Sequence, residues 1–151
     1  MTPIQKCIRN KKVDSKPIWF MRQAGRYLPE FRKIRKSNKN FIKLCLDVNL
    51  SSKITLQPLK RFDLDAAIIF SDILMVPYGL GQEVIFKKNF GPELNNLNLE
   101  TINEVKDSEF SKKLLPVYKS IKKVSKSKLV NAKDLIGFVG APWTLLVYMI
   151  N

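Results

Sequence analysis

The chain has 151 residues, of which 45% are hydrophobic and 26% charged, enough apolar sequence for one globular domain or part of a larger one. It carries 27 Lys+Arg against 13 Asp+Glu, a net charge of +14, and no histidine. The missing histidine excludes a Ser-His or Cys-His catalytic pair and a His-ligated metal within this chain. The two cysteines, Cys7 and Cys45, lack metal or redox spacing, and we expect Cys45 to be a packed thiol.

The basic excess is compatible with three kinds of partner: nucleic acid, an acidic membrane surface or an anionic small molecule. Most of it is lysine dispersed through Lys/Asn/Ser-rich stretches, which favours a solvated basic surface over a nucleic-acid face. No apolar stretch approaches the length of a membrane span, and Met1 to Lys12 lacks the apolar region of a secretory signal. We therefore expect a cytoplasmic protein that binds neither nucleic acid nor membrane.

The first feature after a polar amino-terminal arm is an apolar run that stops at a charge. Ile18 to Met21 is predicted to be a buried strand, and Arg22 follows it directly. Gly25 suits a sharply bent loop, which would make Arg22 and Arg26 a fixed cationic pair suited to carboxylates. Alternatively, both are surface arginines that pair with Glu30 or other acids, and spacing alone does not decide between the two.

Apolar periodicity predicts a series of helices. They are Glu30 to Lys36, Phe41 to Asp47, Ser51 to Phe62 with Ser51 or Ser52 as its cap and a kink before Pro58, Leu99 to Val105, Ser108 to Lys128 with a bend or break at Pro116, and Leu145 to Ile150 with Thr144 as its cap. Ile73 to Val84 is predicted to be irregular, and Glu83 to Lys88 with Phe90 to Pro92 to form an excursion or small hairpin outside the core.

Two further apolar runs, Leu64 to Phe70 and Leu135 to Val139, are predicted to be buried strands. Strands that alternate with helices indicate an α/β fold with a parallel sheet, either an open doubly wound sheet or a (β/α)₈ barrel. A complete barrel takes about 250 residues, so this chain would supply only about three βα units. In both folds the chemistry gathers where strands end, which is where Asp72 and the loop from Gly140 to Thr144 are predicted to lie with the two arginines.

These groups would suit an anionic, partly apolar, nitrogen-bearing ligand. The arginines would hold carboxylates, Asp72 would accept from N–H donors or balance a developing cation, and Tyr148 would donate a hydrogen bond. Aromatic and apolar side chains could form the walls of the site: Phe20, Met21, Phe70 and Phe138. Each of these residues also has an ordinary structural role available to it, in a cap, a turn or the core.

Three stretches of the chain resemble the uroporphyrinogen decarboxylase family. They are PIWFMRQAGRYLPEFRKIR, RFDLDAAIIFSDILMVPYGLG and GFVGAPWTLLVYMI, in the family's order and at plausible spacing. The long motif MRQAGRYLPEFR is very specific, and together the three stretches span essentially the whole chain.

The resemblance implies a (β/α)₈ barrel, usually a homodimer, that decarboxylates the four acetate side chains of uroporphyrinogen III to give coproporphyrinogen III in haem biosynthesis. It implies no metal and no organic cofactor. By position, Arg22 and Arg26 match the family's carboxylate-binding arginines, and Gln23, Ala24 and Gly25 match the rest of the substrate-binding loop. Asp72 matches the catalytic aspartate that binds the pyrrole N–H groups, Arg22 a second catalytic group, and Tyr148 a substrate-binding tyrosine.

Members of the family are roughly twice as long as this chain, as a complete barrel requires. We therefore expect residues 1–151 to be the amino-terminal part of one barrel domain, inactive alone. The alternatives are a non-catalytic basic chain that binds porphyrin or another anion, and one half of a split enzyme. Corrinoid-linked methyltransferases share the barrel but generally bring metal-binding residues, and they do not share the MRQAGRYLPEFR loop.

Overall fold

The computed structural model describes residues 1–87 and 91–150. The helices of this part are α1 (Pro3–Ile8), α2 (Pro29–Ser37), α3 (Phe41–Leu46), α4 (Val48–Arg61), α5 (Met75–Gly79), α6 (Leu99–Glu104), α7 (Asp107–Ser125) and α8 (Pro142–Ile150). The strands are β1 (Ala66–Ile68), β2 (Val84–Lys87), β3 (Gly91–Leu94) and β4 (Asp134–Ile136). The α/β alternation predicted from the sequence is confirmed, and most of the predicted helices are found within a few residues of their expected bounds.

The centre of the fold is a parallel pair formed by β1 and β4. Ala66 lies opposite Asp134 and Ile68 opposite Ile136, and all three residues of β1 are buried. Parallel strands need a crossover connection, and the chain between these two includes α7, which packs against α4. Apolar side chains of α4, β1 and α7 share one cluster, which includes Leu59, Ala67 and Val124.

A second apolar cluster lies under the arginine-bearing segment. Leu28, Phe31, Leu44 and Ile54 bring together α2, α3, α4 and the residue that precedes α2. Ile54 is fully buried, and burying a side chain of this size contributes about 1.5–3 kcal/mol. This cluster fixes the start of α2 against α4, directly beside the segment that carries Arg22 and Arg26.

Helix α4 begins at Val48, three positions before the predicted start, because a better cap is available. Asp47 Oδ1 accepts hydrogen bonds from the N–H groups of Asn49 and Leu50, both at 2.9 Å. The predicted caps Ser51 and Ser52 lie inside the helix instead. Helix α4 continues through Pro58 and α7 through Pro116, so the predicted alternative of a break at Pro116 is wrong. The kink before Pro58 and the bend at Pro116 stay predictions.

The predicted strand from Ile18 to Met21 is wrong. This segment has no regular secondary structure, and Phe20 is 62% exposed and Met21 79%. An apolar run becomes a strand only where a neighbouring strand can pair with it. Among the hydrogen bonds of the described residues, Ile18 is the member of this run that is bonded to the residue before β1. Its N–H donates to Asp65 Oδ2 at 2.7 Å, and its carbonyl accepts from the N–H of Asp65 at 2.9 Å.

The third predicted strand is shorter and less buried than expected. β4 covers only Asp134–Ile136 and is half-buried, whereas residues 137–139 are exposed. Helix α8 begins at Pro142, a residue type that suits the first turn because it lacks an N–H, so the predicted cap Thr144 lies inside the helix. The N–H of Leu145 donates to the carbonyl of Ala141 at 3.0 Å.

The excursion between β1 and α6 contains more regular structure than predicted. The short helix α5 occupies part of the segment predicted to be irregular. β2 and β3 pair antiparallel, which confirms the predicted hairpin, although Lys88 and Phe90 lie outside the described residues. Gly81 and Gly91 both have positive φ, +98° and +91°, a conformation that favours glycine.

The amino-terminal arm includes α1 and docks at the start of β4. Thr2 Oγ1 donates to one carboxylate oxygen of Asp134, and Gln5 Nε2 donates to the other at 2.8 Å. Thr2 also caps α1, because its hydroxyl accepts from the N–H of Gln5 at 3.2 Å. The first residues of the chain thus contact β4, the last strand in sequence order.

Candidate functional site

The loop that carries the two arginines is attached to β1 through Gln23. This side chain is only 3% exposed, and its Nε2 donates to the carbonyl of Ala66 at 2.9 Å. Its Oε1 accepts from the N–H of Phe20 at 3.2 Å. The Tyr27 hydroxyl donates to the carbonyl of Gln23. Gln23 is therefore hydrogen-bonded both to a residue that precedes it, Phe20, and to one that follows it, Tyr27.

Arg22 and Arg26 are both exposed, and within residues 1–87 and 91–150 neither forms an ion pair. Glu30, the acid that could have paired with them, is held by Arg61 on α4. Arg61 Nε lies 2.5 Å from Oε1 and Nη2 2.9 Å from Oε2, and this contact lowers the pKa of Glu30. The two loop guanidinium groups are therefore available to an anion.

Arg22 opens onto an apolar cavity of about 640 Å³. The cavity is lined by Phe20, Met21, Arg22, Gln23, Tyr27, Phe62 and Leu64. Phe20 and Met21 thus line a cavity, as the sequence predicts, whereas Phe70 packs in the core between the rings of Phe31 and Phe41, each 5.7 Å away. One guanidinium in an apolar wall suits a flat ligand with carboxylates at its edge.

Asp72 lies beyond the carboxyl end of β1 and is held in a tight turn. Its Oδ1 accepts from the N–H of Leu74 at 2.8 Å, and its carbonyl accepts from the N–H of Met75 at 3.2 Å. The side chain is half-buried. This burial raises the pKa of Asp72, and the hydrogen bond from Leu74 opposes the rise only in part. A carboxyl group with a raised pKa is better suited to proton exchange than an ordinary aspartate.

The backbone just before Asp72 is fixed by side chains of α4. The N–H of Phe70 donates to Thr55 Oγ1 at 2.8 Å, and the carbonyl of Phe70 accepts from Ser51 Oγ at 2.9 Å. Sequence reasoning missed this role and assigned Ser51 to a cap. The available signal was a pair of small hydroxyl residues four positions apart on the face of a helix that precedes a buried strand.

The loop after β4 reaches the turn that holds Asp72. A Cβ added at Gly140 would lie 3.2 Å from Cβ of Ile73, the residue next to Asp72. Tyr148 lies further along α8 and is 38% exposed. The end of that helix is held by Gln82, whose Nε2 donates to the carbonyl of Met149 at 2.9 Å.

The structure therefore divides the predicted site into two groups. Asp72 and the Gly140 loop meet at the carboxyl ends of β1 and β4, as expected. Arg22 instead faces a cavity whose walls include Phe62 and Leu64, which precede β1, and Asp72 is not among the residues that line it.

Cys45 is fully buried in the core, which confirms the expected packed thiol, and Cys7 is exposed. Burial raises the pKa of the Cys45 thiol. In the described part of the chain, no group of three or more His, Cys, Asp or Glu residues is placed to hold a metal ion. No helix in that part is both long and apolar enough to cross a membrane.

Comparison with known proteins gives consistent results. Residues 1–151 match the family model described as uroporphyrinogen decarboxylase (URO-D). The uroporphyrinogen decarboxylase of Rickettsia canadensis is 53% identical over 138 residues, which cover 91% of this chain and 40% of that protein. That of Rickettsia felis is 53% identical over 135 residues, which cover 89% of this chain and 39% of that protein. The chain thus spans about 40% of the length of these curated relatives.

A solved structure also resembles the chain. A methyltransferase from Methanosarcina mazei superposes with a TM-score of 0.73 over 99% of this chain and 44% of that one. The sequence identity is 16%, so this similarity shows the fold alone.

Proposed function

Because this chain belongs to the uroporphyrinogen decarboxylase family, we propose that it forms part of an enzyme that decarboxylates the acetate side chains of uroporphyrinogen to give coproporphyrinogen. The single observation that carries the proposal is the family match across residues 1–151, which include the whole arginine loop. It favours a decarboxylase over a non-catalytic anion-binding chain. The reaction would need no metal and no organic cofactor.

We propose further that residues 1–151 are the amino-terminal part of a (β/α)₈ barrel, with β1 and β4 as neighbouring strands. The parallel pairing of those strands and the α/β similarity to a longer solved structure support this assignment. In the proposed enzyme the barrel is a cytoplasmic homodimer. The remaining strands come from sequence that the curated relatives have beyond their match to this chain.

In the proposed mechanism, protonation of a pyrrole carbon creates a cation adjacent to the acetate-bearing carbon. The C–C bond to the carboxylate then breaks, carbon dioxide leaves, and the bonding electrons return to the ring. A proton added to the resulting exocyclic methylene carbon gives the methyl group, and loss of the first proton from the ring carbon restores the neutral pyrrole. The step therefore requires a negative group beside the ring nitrogens and a fixed grip on the carboxylate.

Asp72 is assigned to the ring nitrogens because its position is fixed by the Leu74 N–H and its carboxyl is partly removed from water. Arg22 and Arg26 are assigned to the acetate carboxylates because their guanidinium groups are exposed and make no ion pair within the described residues. Tyr148 is assigned a hydrogen bond to substrate from α8. In the complete barrel, the arginine loop and Asp72 would both face the ligand.

The proposal is tested by mixing the purified chain with a polypeptide that carries the rest of the family's length and measuring coproporphyrinogen formation. We expect no turnover by the chain alone and turnover by the mixture. Asp72→Asn in the mixture should greatly slow decarboxylation, because the amide cannot balance the ring cation. Turnover by the chain alone would refute the need for the remainder, and undiminished turnover by Asp72→Asn would remove the role given to Asp72.

An intact mass measured on the native polypeptide complements this test. A mass near 17.4 kDa would mean that any complementing segment is a separate polypeptide. A mass near twice that value would mean that one polypeptide carries both parts.

A further inference from the structure

We propose that Gln23 is a positioning residue, which locks the arginine loop to the edge of β1 that faces away from β4 rather than contacting the ligand with its own side chain. The inference rests on the proposed function for its ligand, but the lock itself is a feature of the fold. It concerns the side chain of a residue that the family resemblance assigns only to the substrate-binding loop.

The first argument is that both polar atoms of the Gln23 side chain have a hydrogen-bond partner inside the protein. Its Nε2 donates to Ala66 in a buried contact of 2.9 Å, and its Oε1 accepts from the N–H of Phe20 at 3.2 Å. With 3% of the residue exposed, little of this amide is left for a ligand. Arg22 and Arg26, by contrast, are both exposed.

The second argument is the place where the side chain docks. On the β4 side of β1, the carbonyl of Asp65 accepts from the N–H of Asp134 and the N–H of Ile69 donates to Ile136. Because strand residues alternate their hydrogen-bonding direction, the polar groups of Ala66 face the opposite edge. Gln23 thus places a side-chain amide where a neighbouring strand would place a backbone amide.

The third argument is that other contacts fix the rest of the loop, which makes the Gln23 contact its link to the sheet. The Tyr27 hydroxyl donates to the carbonyl of Gln23, and the carbonyl of Arg26 accepts from Arg32 Nη1 at 3.1 Å. The ion pair between Glu30 and Arg61 joins α2 to α4. The loop is therefore anchored to α2 at one end and to β1 through Gln23. Arg26 lies between those anchors and Arg22 directly before Gln23, and both arginines are exposed.

The test compares Gln23→Met and Gln23→Glu with Gln57→Met in the full 151-residue chain. Gln57 is a matched control because it is also buried, and neither of its side-chain polar atoms has a hydrogen-bond partner among residues 1–87 and 91–150. Two quantities are measured on folded samples: amide hydrogen exchange at Phe20 and in the loop from 22 to 27, and the dissociation constant of uroporphyrin I, followed by its fluorescence. Uroporphyrin I is a stable, flat polycarboxylate probe.

We expect Gln23→Met to speed exchange at Phe20 and to weaken probe binding, each by about tenfold, the factor that one hydrogen bond typically supplies. Gln23→Glu keeps an acceptor for the Phe20 N–H but cannot donate to Ala66, so it should restore protection at Phe20 without restoring affinity. Gln57→Met should change neither quantity. This pattern separates the lock from a general loss of stability.

Three results would overturn the proposal. Weaker binding by Gln23→Met with unchanged loop exchange would mean that Gln23 contacts the ligand directly. Faster exchange with unchanged affinity would mean that the lock does not position the arginines. Full affinity in Gln23→Glu would mean that the bond to Ala66 is not the one that matters. If the unsubstituted chain fails to bind the probe, the arginine loop of this chain is not sufficient to hold the ligand, and loop exchange alone then decides whether the lock exists.

Discussion

Replacing Thr55 by valine should destabilise the protein by uncoupling α4 from the end of β1. Valine has nearly the shape of threonine but no oxygen, so the Phe70 N–H loses its acceptor at 2.8 Å. A buried donor left without a partner costs about 1–3 kcal/mol, and this amide is only partly buried, so we expect a loss of about 1–2 kcal/mol in the free energy of unfolding. For a chain of this size that corresponds to a fall in Tm of roughly 2–8 °C.

The assay is urea unfolding combined with amide exchange. In Thr55→Val the Phe70 amide should lose protection, whereas its neighbour Ile69, whose N–H donates to the carbonyl of Ile136 at 3.0 Å, should keep it. Thr55→Ser is the control, because it keeps the hydroxyl and removes only a methyl group. If Phe70 stays protected in the valine variant, and that variant unfolds at the same urea concentration as the natural chain, the coupling inferred here does not exist.

Three other substitutions or treatments test separate parts of the structure. Gly140→Ala should lower the free energy of unfolding by about 1–3 kcal/mol, because the new methyl would lie 2.5 Å from the side chain of Leu145 on α8. Gly137→Ala is the control and should be nearly neutral, because nothing lies within 4 Å of its new methyl. Equal Tm values for the two variants in thermal unfolding would count against this packing. A thiol reagent should modify exposed Cys7 at once and buried Cys45 only on unfolding, and rapid double labelling of the native chain would contradict the burial. Asp72→Asn should be more stable than the natural chain near neutral pH. The pKa of Asp72 is raised above its ordinary 3.8 in the folded state, so the folded state binds the proton more tightly than the unfolded state does. The stability of the natural chain therefore falls as pH rises from 3.8 through the raised folded-state pKa. The substitution removes the contribution of Asp72 to the slope of the free energy of unfolding against pH. An unchanged pH dependence in urea titrations would refute this prediction.

The sequence pattern of a segment was sufficient to predict its secondary structure where the apolar residues of that segment alone determine the strand or helix. The run LDAAIIF predicts β1 because its apolar residues are continuous, and α7 follows from apolar residues at helical spacing. The same rule failed at Ile18 to Met21, because hydropathy cannot report whether a strand lies alongside to accept hydrogen bonds. Segments of this kind depend on the rest of the fold.

The candidate site shows a similar division. The positions of Arg22 and Asp72 relative to apolar runs singled them out, but the contacts that hold them come from elsewhere in the sequence. Ser51 was predicted to cap α4 and instead donates to Phe70, because Asp47 supplies the cap. Gln23 gave no signal of an internal role, because a glutamine in a polar loop reads as exposed until its partner Ala66 is known. Side chains that hydrogen-bond to backbone groups distant in the sequence produce no periodic pattern in the sequence.

The docking of α1 on Asp134 has a consequence for the order of folding. The contact from Gln5 joins residues 129 positions apart, and closing a free loop of that length costs about 4 kcal/mol in chain entropy, more than the two hydrogen bonds from Thr2 and Gln5 return. Once β1 and β4 have paired and Ile18 is held by Asp65, only a short tether separates α1 from its partner. We therefore expect the arm to dock after the folding barrier, so that removing it accelerates unfolding and leaves the folding rate unchanged.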